Sequence, residues 1–211
     1  MRLANGAERW ILASLIIVLI SIISFITVKH FILLVSSIIF FVITIFFIIF
    51  FRDPDRIIGE GFVSPADGRI QEIRKMKDED IDDCIRITVF MNIYDVHVNR
   101  MPINGKIVYI EHYPGSHIPA FRKESERNER VIIKIDTVIG VIKIIQIAGI
   151  IARRIKPYIK VGDKLEKGSR IGIIKLGSRV DLYLPRDKIV LKVKKGDRVK
   201  AGVDSIAEID G

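Results

Sequence analysis

Arg170-Ile171-Gly172-Ile173-Ile174-Lys175-Leu176-Gly177-Ser178-Arg179-Val180-Asp181-Leu182-Tyr183-Leu184 sets two short runs rich in Ile, Val and Leu on either side of a Gly-Ser pair. Each run is too short for a stable helix and is bounded by turn-forming residues, so each reads as a strand, over 170–175 and 179–184. Working outward, the same pattern predicts strands over 69–74, 85–92, 105–112, 131–138, 140–148, 189–194 and 205–209. Asn104-Gly105 and Thr137-Val138-Ile139-Gly140 read as turns. Only Phe121–Arg130 and Gly149–Arg154 have helical character, and both are short. Residues 52–211 therefore form one mainly β domain of ordinary size.

That domain repeats itself weakly. Val161-Gly162-Asp163-Lys164-Leu165-Glu166-Lys167-Gly168 is echoed by Lys195-Gly196-Asp197-Arg198-Val199-Lys200-Ala201-Gly202. Ser64-Pro65-Ala66-Asp67-Gly68-Arg69-Ile70 is echoed by Met101-Pro102-Ile103-Asn104-Gly105-Lys106-Ile107. Each is a glycine-centred turn leading into a β run. Such turns resemble those of biotinyl/lipoyl-type barrel-sandwich domains, a hint of fold and not of function.

The N-terminus has another character. Between Trp10 and Phe51 the only ionisable side chains are Lys29 and His30. A helix needs about 20 residues to cross a bilayer. Helices over about 10–28 and 31–51, with Lys29-His30 at the tip, predict a transmembrane hairpin, which makes residues 1–51 a membrane anchor. A signal peptide fits poorly, because the apolar region is long and no small-residue cleavage site follows it. Arg2, Arg9, Arg52 and Arg56 flank the hairpin on one side. The positive-inside bias then predicts a protein of the cell membrane whose domain 52–211 faces the cytoplasm.

The formal net charge is +9. Arg2, Arg9 and Lys29 against Glu8 give residues 1–51 a charge of +2, which leaves +7 on residues 52–211. A basic domain on a membrane is drawn to anionic headgroups. That accounts for the charge without nucleic acid as a partner. Cys84 is the only cysteine, which excludes an intrachain disulfide and a cysteine-built metal site. Exposed edge strands would favour pairing, so a homo-oligomer is compatible with the pattern.

Gly177-Ser178 carries a specific chemistry. Glycine lets a nucleophile approach its carbonyl. Attack by the Ser178 hydroxyl on Gly177 would move the acyl group from nitrogen to oxygen, and β-elimination would then cut the chain. The serine would end as an N-terminal pyruvoyl group. A serine hydroxyl needs an activating base. His30 lies in the hairpin turn. His97 lies in Tyr94-Asp95-Val96-His97-Val98-Asn99-Arg100-Met101-Pro102, where polar and apolar residues alternate as on a half-buried strand. His112 and His117 flank Tyr113-Pro114-Gly115. Asp67, before Gly68, has the form of a turn residue.

In this order the segments Ser64–Gly68, Asp95–Pro102, Glu124–Arg130, Gln146–Arg154 and Leu176–Asp181 resemble the phosphatidylserine decarboxylase family, in its short form found in archaea and some bacteria. The likeness runs from about residue 50 to 185. It implies cleavage between Gly177 and Ser178 into chains 1–177 and 178–211 that stay associated. It implies a covalent pyruvoyl cofactor made from Ser178 and no metal. It implies pyruvoyl-dependent decarboxylation of a membrane phospholipid with a serine headgroup, archaetidylserine or phosphatidylserine, to the ethanolamine lipid. The ketone would form a Schiff base with the headgroup amine and withdraw the electrons released with CO₂. His97 would protonate the resulting carbanion, and Asp67 would orient or charge-balance self-cleavage. Lys123, Arg130 and Arg153 are placed by charge and position as partners of the lipid phosphodiester.

One position departs from the family pattern. Longer forms carry two histidines three apart before Met-Pro, the second tied to self-cleavage. Here His97 matches the first, and Arg100 stands at the second. The base for Ser178 is therefore His97 in both steps, or His112, His117 or Asp67. The reading of another class is a membrane-tethered barrel-sandwich adaptor or biotin/lipoyl-type carrier. Met76-Lys77 superficially resembles a biotin-accepting pair but lies in the charged run Arg74–Asp83.

Overall fold

The computed structural model describes residues 2–116, 127–149, 155–175 and 178–210. The elements in chain order are β1 (Arg2–Leu3), α1 (Glu8–Val28), α2 (Phe31–Phe50), β2 (Arg52–Asp53), β3 (Phe62–Val63), β4 (Gly68–Asp78), β5 (Asp82–Met91), β6 (Val98–Arg100), β7 (Gly105–Tyr113) and β8 (Arg130–Thr137). They continue with β9 (Gly140–Ile147), β10 (Ile155–Pro157), β11 (Lys164–Leu165), β12 (Arg170–Ile174), β13 (Ser178–Pro185), β14 (Ile189–Leu191), β15 (Arg198–Val199) and β16 (Ser205–Ile209). All nine expected strands are present. The sequence pattern missed β1, β2, β3, β6, β10, β11 and β15, whose two or three residues carry too little periodicity to register. Of the two expected short helices, residues 121–126 and 150–154 lie outside the described residues, and Arg130 opens β8.

Contacts divide the chain into two units, Met1–Asp55 and Arg56–Gly211. In the first, α1 and α2 are long and apolar enough to cross a membrane. At 1.5 Å rise per residue each spans about 30 Å. Their apolar side chains point mostly outward, Leu12, Ile26 and Phe31 among them. A helix apolar all round needs an apolar surrounding. Polar residues sit between the helices instead. The Thr44 hydroxyl donates to Ser14 Oγ over 2.9 Å, and Ser21 and Ser36 lie 3.4 Å apart. Small hydroxyl residues at such a seam permit close approach and cross-helix bonding. Lys29 turns the chain in the left-handed region at φ 55, and His30 Nδ1 caps α2 by accepting from Ile32 N. β1 pairs with β2, which explains why the division falls after Asp55 and not at the helix end.

The second unit is built on an eight-stranded antiparallel sheet in the order β11-β7-β8-β9-β13-β5-β4-β15. Two three-stranded sheets, β10-β12-β6 and β14-β16-β3, complete it. Alternation along β13 decides which side chains go where. Val180, Leu182 and Leu184 enter the core with Ile87 and Val89 of β5 and Ile144 of β9. Arg179, Asp181 and Tyr183 take the other face.

The internal echo proves to be a structural duplication. Gly196 N donates to Ile70 O and Ile70 N to Asp197 O, each over 2.8 Å. In the other half, Gly162 N donates to Ile107 O and Ile107 N to Asp163 O. Asp197 and Asp163 close their own turns by accepting from Lys194 N and Lys160 N. Gly162 and Gly196 have φ of 97° and 98°, which a side chain would oppose. Two equivalent arms thus clamp the starts of β4 and β7.

Candidate active site

Ser178 is the first residue of β13, directly opposite Met91, the last residue of β5. Its phase is that of Val180 and Leu182, so the hydroxyl points into the core side. It is fully buried, and its described partner is the Met91 sulfur at 3.3 Å. Sulfur is a weak acceptor. Met91 Sδ also faces Asn99 Nδ2 at 3.8 Å, and Asn99 Oδ1 accepts from Gln146 Nε2 over 2.7 Å. Asn99 and Gln146 are fully buried. Gln146 lies on the core phase of β9, opposite Val180. A polar group comes to line the apolar core beside the serine.

β12 ends at Ile174 in one sheet and β13 begins at Ser178 in another. Gly177, with Leu176, lies outside the described residues. The expected cut therefore falls where the chain changes sheets. β13 is bonded on both sides, to β5 and to β9.

His97 is fully buried in the link from β5 to β6. Its carbonyl accepts from Ile174 N over 3.3 Å, which fastens it to the strand leading to the Gly-Ser pair. Its Nδ1 lies 2.8 Å from Asp95 O. A carbonyl can only accept, so Nδ1 donates and the neutral ring keeps its basic lone pair on Nε2.

Asp67 is buried elsewhere in the same unit. Arg56 Nη1 and Nη2 grip its two oxygens at 2.5 and 2.8 Å, and Ala201 N donates to Oδ1 over 2.7 Å. The carboxylate thus ties the 195–202 arm to Arg56. Its described bonds do not include Ser178 or His97. Arg100 is 4% exposed and donates from Nη1 to Gly168 O over 3.0 Å, clamping the other arm. His112 Nε2 lies 2.9 Å from Glu129 Oε1, which also accepts from Ile155 N. Arg130 stands over the Tyr113 ring at 4.9 Å. Lys123, Arg153 and His117 lie outside the described residues.

Behind β13, Arg179 Nη2 donates to Asp181 Oδ2 over 2.9 Å. Burial pushes the Asp181 carboxyl up, and Arg179 and Arg86 only partly pull it back. Burial also works against the Arg86 charge, but Asp181, Tyr183 and Glu72 outweigh it and raise the guanidinium. Burial first, and Asp181 next, push the Tyr183 hydroxyl up. This row holds the strand that begins with Ser178 from its far side.

Sequence reasoning missed Arg56, Met91, Asn99 and Gln146. A signal existed for one of them. In Val141–Ile147 every second residue of the core phase is apolar until Gln146, and a polar residue in that phase must be bonded.

The sequence profile of the family described as Phosphatidylserine decarboxylase matches residues 43–207. A phosphatidylserine decarboxylase proenzyme of Thermobifida fusca is 53% identical over 154 residues, covering 72% of this chain and 69% of the relative. Another, of Streptomyces avermitilis, is 50% identical over 158 residues, covering 74% and 71%. A Methanosarcina acetivorans protein named as an archaetidylserine decarboxylase proenzyme is 43% identical over 211 residues, covering 98% of this chain and 97% of its own.

Proposed function

Since this chain belongs to the phosphatidylserine decarboxylase family and is a carboxy-lyase, we propose that it cuts itself between Gly177 and Ser178 and then decarboxylates a serine-headgroup phospholipid to the ethanolamine lipid. The Ser178 hydroxyl attacks the Gly177 carbonyl carbon and the acyl group moves from nitrogen to oxygen. Elimination breaks the Cβ–O bond and releases the Gly177 carboxylate. Water then displaces ammonia and leaves a pyruvoyl terminus on the chain 178–211. That group supplies an electron-withdrawing carbonyl to the headgroup amine.

The observation that carries this reading is the position of Ser178: fully buried, at the head of a central strand, at the change of sheets. A cut there spares both ladders. β13 keeps β5 and β9, β15 keeps β4, and β16 keeps β3, so the two chains stay together.

His97 is the base for Ser178 and later delivers the proton to the carbon that loses CO₂, through Nε2. Its buried ring, its fixed Nδ1–H and its bond to Ile174 support that role. Asp67 is a positioning residue that acts through Arg56 and the 195–202 arm. Arg130, with Lys123 and Arg153, serves the phosphodiester. The hairpin 1–51 anchors the chain in the cell membrane, with residues 52–211 on the cytoplasmic side where the lipid headgroups lie.

The experiment is direct. Purified protein is run on a denaturing gel and assayed for CO₂ release from phosphatidylserine and archaetidylserine in vesicles. Wild type gives two bands, the small one blocked at its N-terminus. Ser178→Ala stays as one band and releases no CO₂. One intact band from active wild type would overturn the reading.

A further inference from the structure

The link between β5 and β6 contains a tight turn whose composition is unusual. Asp95 N donates to Asn92 O over 2.9 Å, and Asn92 N donates to Asp95 Oδ2 over 2.8 Å. The central residues of the turn are Ile93 and Tyr94. Gly, Pro, Asn, Asp and Ser usually fill such positions, for conformational and solvation reasons. Ile93 and Tyr94 are instead large and lie 50% and 56% exposed. The turn follows Met91, which touches Ser178, and precedes His97. It is the exposed feature of the chain segment that joins those two buried residues.

Its surroundings are basic. Arg198 stands over the Tyr94 ring at 5.7 Å and donates to Asp95 Oδ1 over 3.1 Å, which uses the only acid of the turn. Arg69 lies directly across from Arg198 in the β4–β15 pairing and from Phe90 in the β4–β5 pairing. Like charges directly opposite repel. Arg69 is exposed, and no ion pair to it occurs among the described residues. An aliphatic and an amphipathic aromatic tip flanked by guanidinium groups suits the boundary between headgroups and acyl chains of an anionic bilayer.

We infer that the Asn92–Asp95 turn is a second, interfacial lipid-binding element. Ile93 and Tyr94 enter the outer acyl region, and Arg69 and Arg198 meet lipid phosphates. It holds the Ser178 end of the sheet against the lipid surface that presents the substrate. The inference rests on the lipid-decarboxylase reading for its purpose, but not for its test. The opposite end of the sheet provides the reference. Val138, 80% exposed, is an apolar tip at the β8–β9 turn. It lies about 25 Å of strand away from the Arg130–Ile147 end.

The test uses the full-length protein with Trp10→Phe, so that one new tryptophan reports. Tyr94→Trp and Val138→Trp are each reconstituted in vesicles of brominated phosphatidylcholine and phosphatidylglycerol. Quenching severalfold stronger at position 94 than at 138, weakened by Arg69→Ala, is expected. Equal quenching at both positions, or none at 94, overturns the inference. In parallel, Ile93→Ser/Tyr94→Ser should raise the KM for vesicle substrate about tenfold, with kcat within about twofold and self-cleavage complete. An unchanged KM also overturns it. Quenching at 94 in a protein that never cuts itself would sink the decarboxylase reading and leave this one standing. Cutting and CO₂ release without quenching would do the reverse.

Discussion

Ser178 and Met91 face each other across β13 and β5, and the serine hydroxyl lies 3.3 Å from the methionine sulfur. A buried serine hydroxyl is thus packed against a soft, apolar neighbour at the polar end of a core.

This pairing separates packing from hydrogen bonding. Met91→Leu nearly conserves volume and should cost less than about 1.5 kcal/mol. Self-cleavage should stay within about threefold of wild type, since sulfur accepts weakly. Met91→Ala should cost about 2–5 kcal/mol through the cavity it leaves and slow cleavage by loosening the serine. Urea unfolding and the fraction cut over time give both answers. Blocked cleavage in a stable Met91→Leu protein would mean that the sulfur itself acts.

The Arg56–Asp67 pair is about nine-tenths buried on both sides. Asp67→Asn should cost about 3–5 kcal/mol, because it leaves a buried guanidinium without its counter-charge. Arg56→Met/Asp67→Leu should recover most of that loss. Thermal and urea unfolding of the three proteins test this. A double variant no more stable than Asp67→Asn would refute it.

Asn99 and Gln146 are fully buried, and the Gln146 amide donates to the Asn99 carbonyl over 2.7 Å. Gln146→Leu should cost about 1–3 kcal/mol, the penalty for stranding the Asn99 carbonyl. Adding Asn99→Leu should cost less than the separate effects predict, with a coupling of about 0.5–3 kcal/mol in a double-mutant cycle. Additive losses would show that the amides do not act as a pair.

Asp80 links the pH axis to the far edge of the sheet. A hydrogen bond from Lys134 holds its carboxyl below the usual range, burial opposes this, and a bond from Lys143 adds to it. A carboxyl depressed on folding adds stability that is complete above its unfolded pKa, near 4, and is lost as the pH falls through the folded value. Asp80→Asn should therefore be less stable than wild type at pH 7 by up to about 1 kcal/mol, given its partial exposure. The difference should close towards pH 3. Urea midpoints across that range measure it, and a constant difference would contradict the assignment. Lys143, between Asp78 and Asp80, is raised although burial alone would lower it, so it stays charged throughout.

The large strands were readable because alternation along them matches burial on one face. Val180, Leu182 and Leu184 announce β13, and Ile142 and Ile144 announce β9. The repeated glycine-aspartate turns also announced themselves, since positive φ and the self-bonding aspartate are local properties. Gly196 and Asp197 needed no partner to be recognised as a turn. That this turn clamps Ile70, more than a hundred residues away, was not written in it.

The site divides in the same way. Ser178, His97 and Asp67 could be singled out by residue type and order. Their bonds could not, because a side chain's partner depends on which strand lies beside it. Arg100 illustrates the point: in sequence it stands where a second histidine is expected, and in the fold it reaches Gly168. Arg56 looked like the end of an anchor and is the counter-charge of Asp67.

The sequence by itself determined an apolar helical hairpin, a mainly β unit and a Gly-Ser pair between two strands, because each depends on periodicity and chemistry within a few residues. Only the tertiary structure decided that Ser178 meets Met91, that Gln146 donates to Asn99 beside them, and that Ile93 and Tyr94 stand exposed beside Arg198. Those relations come from strand register, and register is fixed by the packing of the whole sheet.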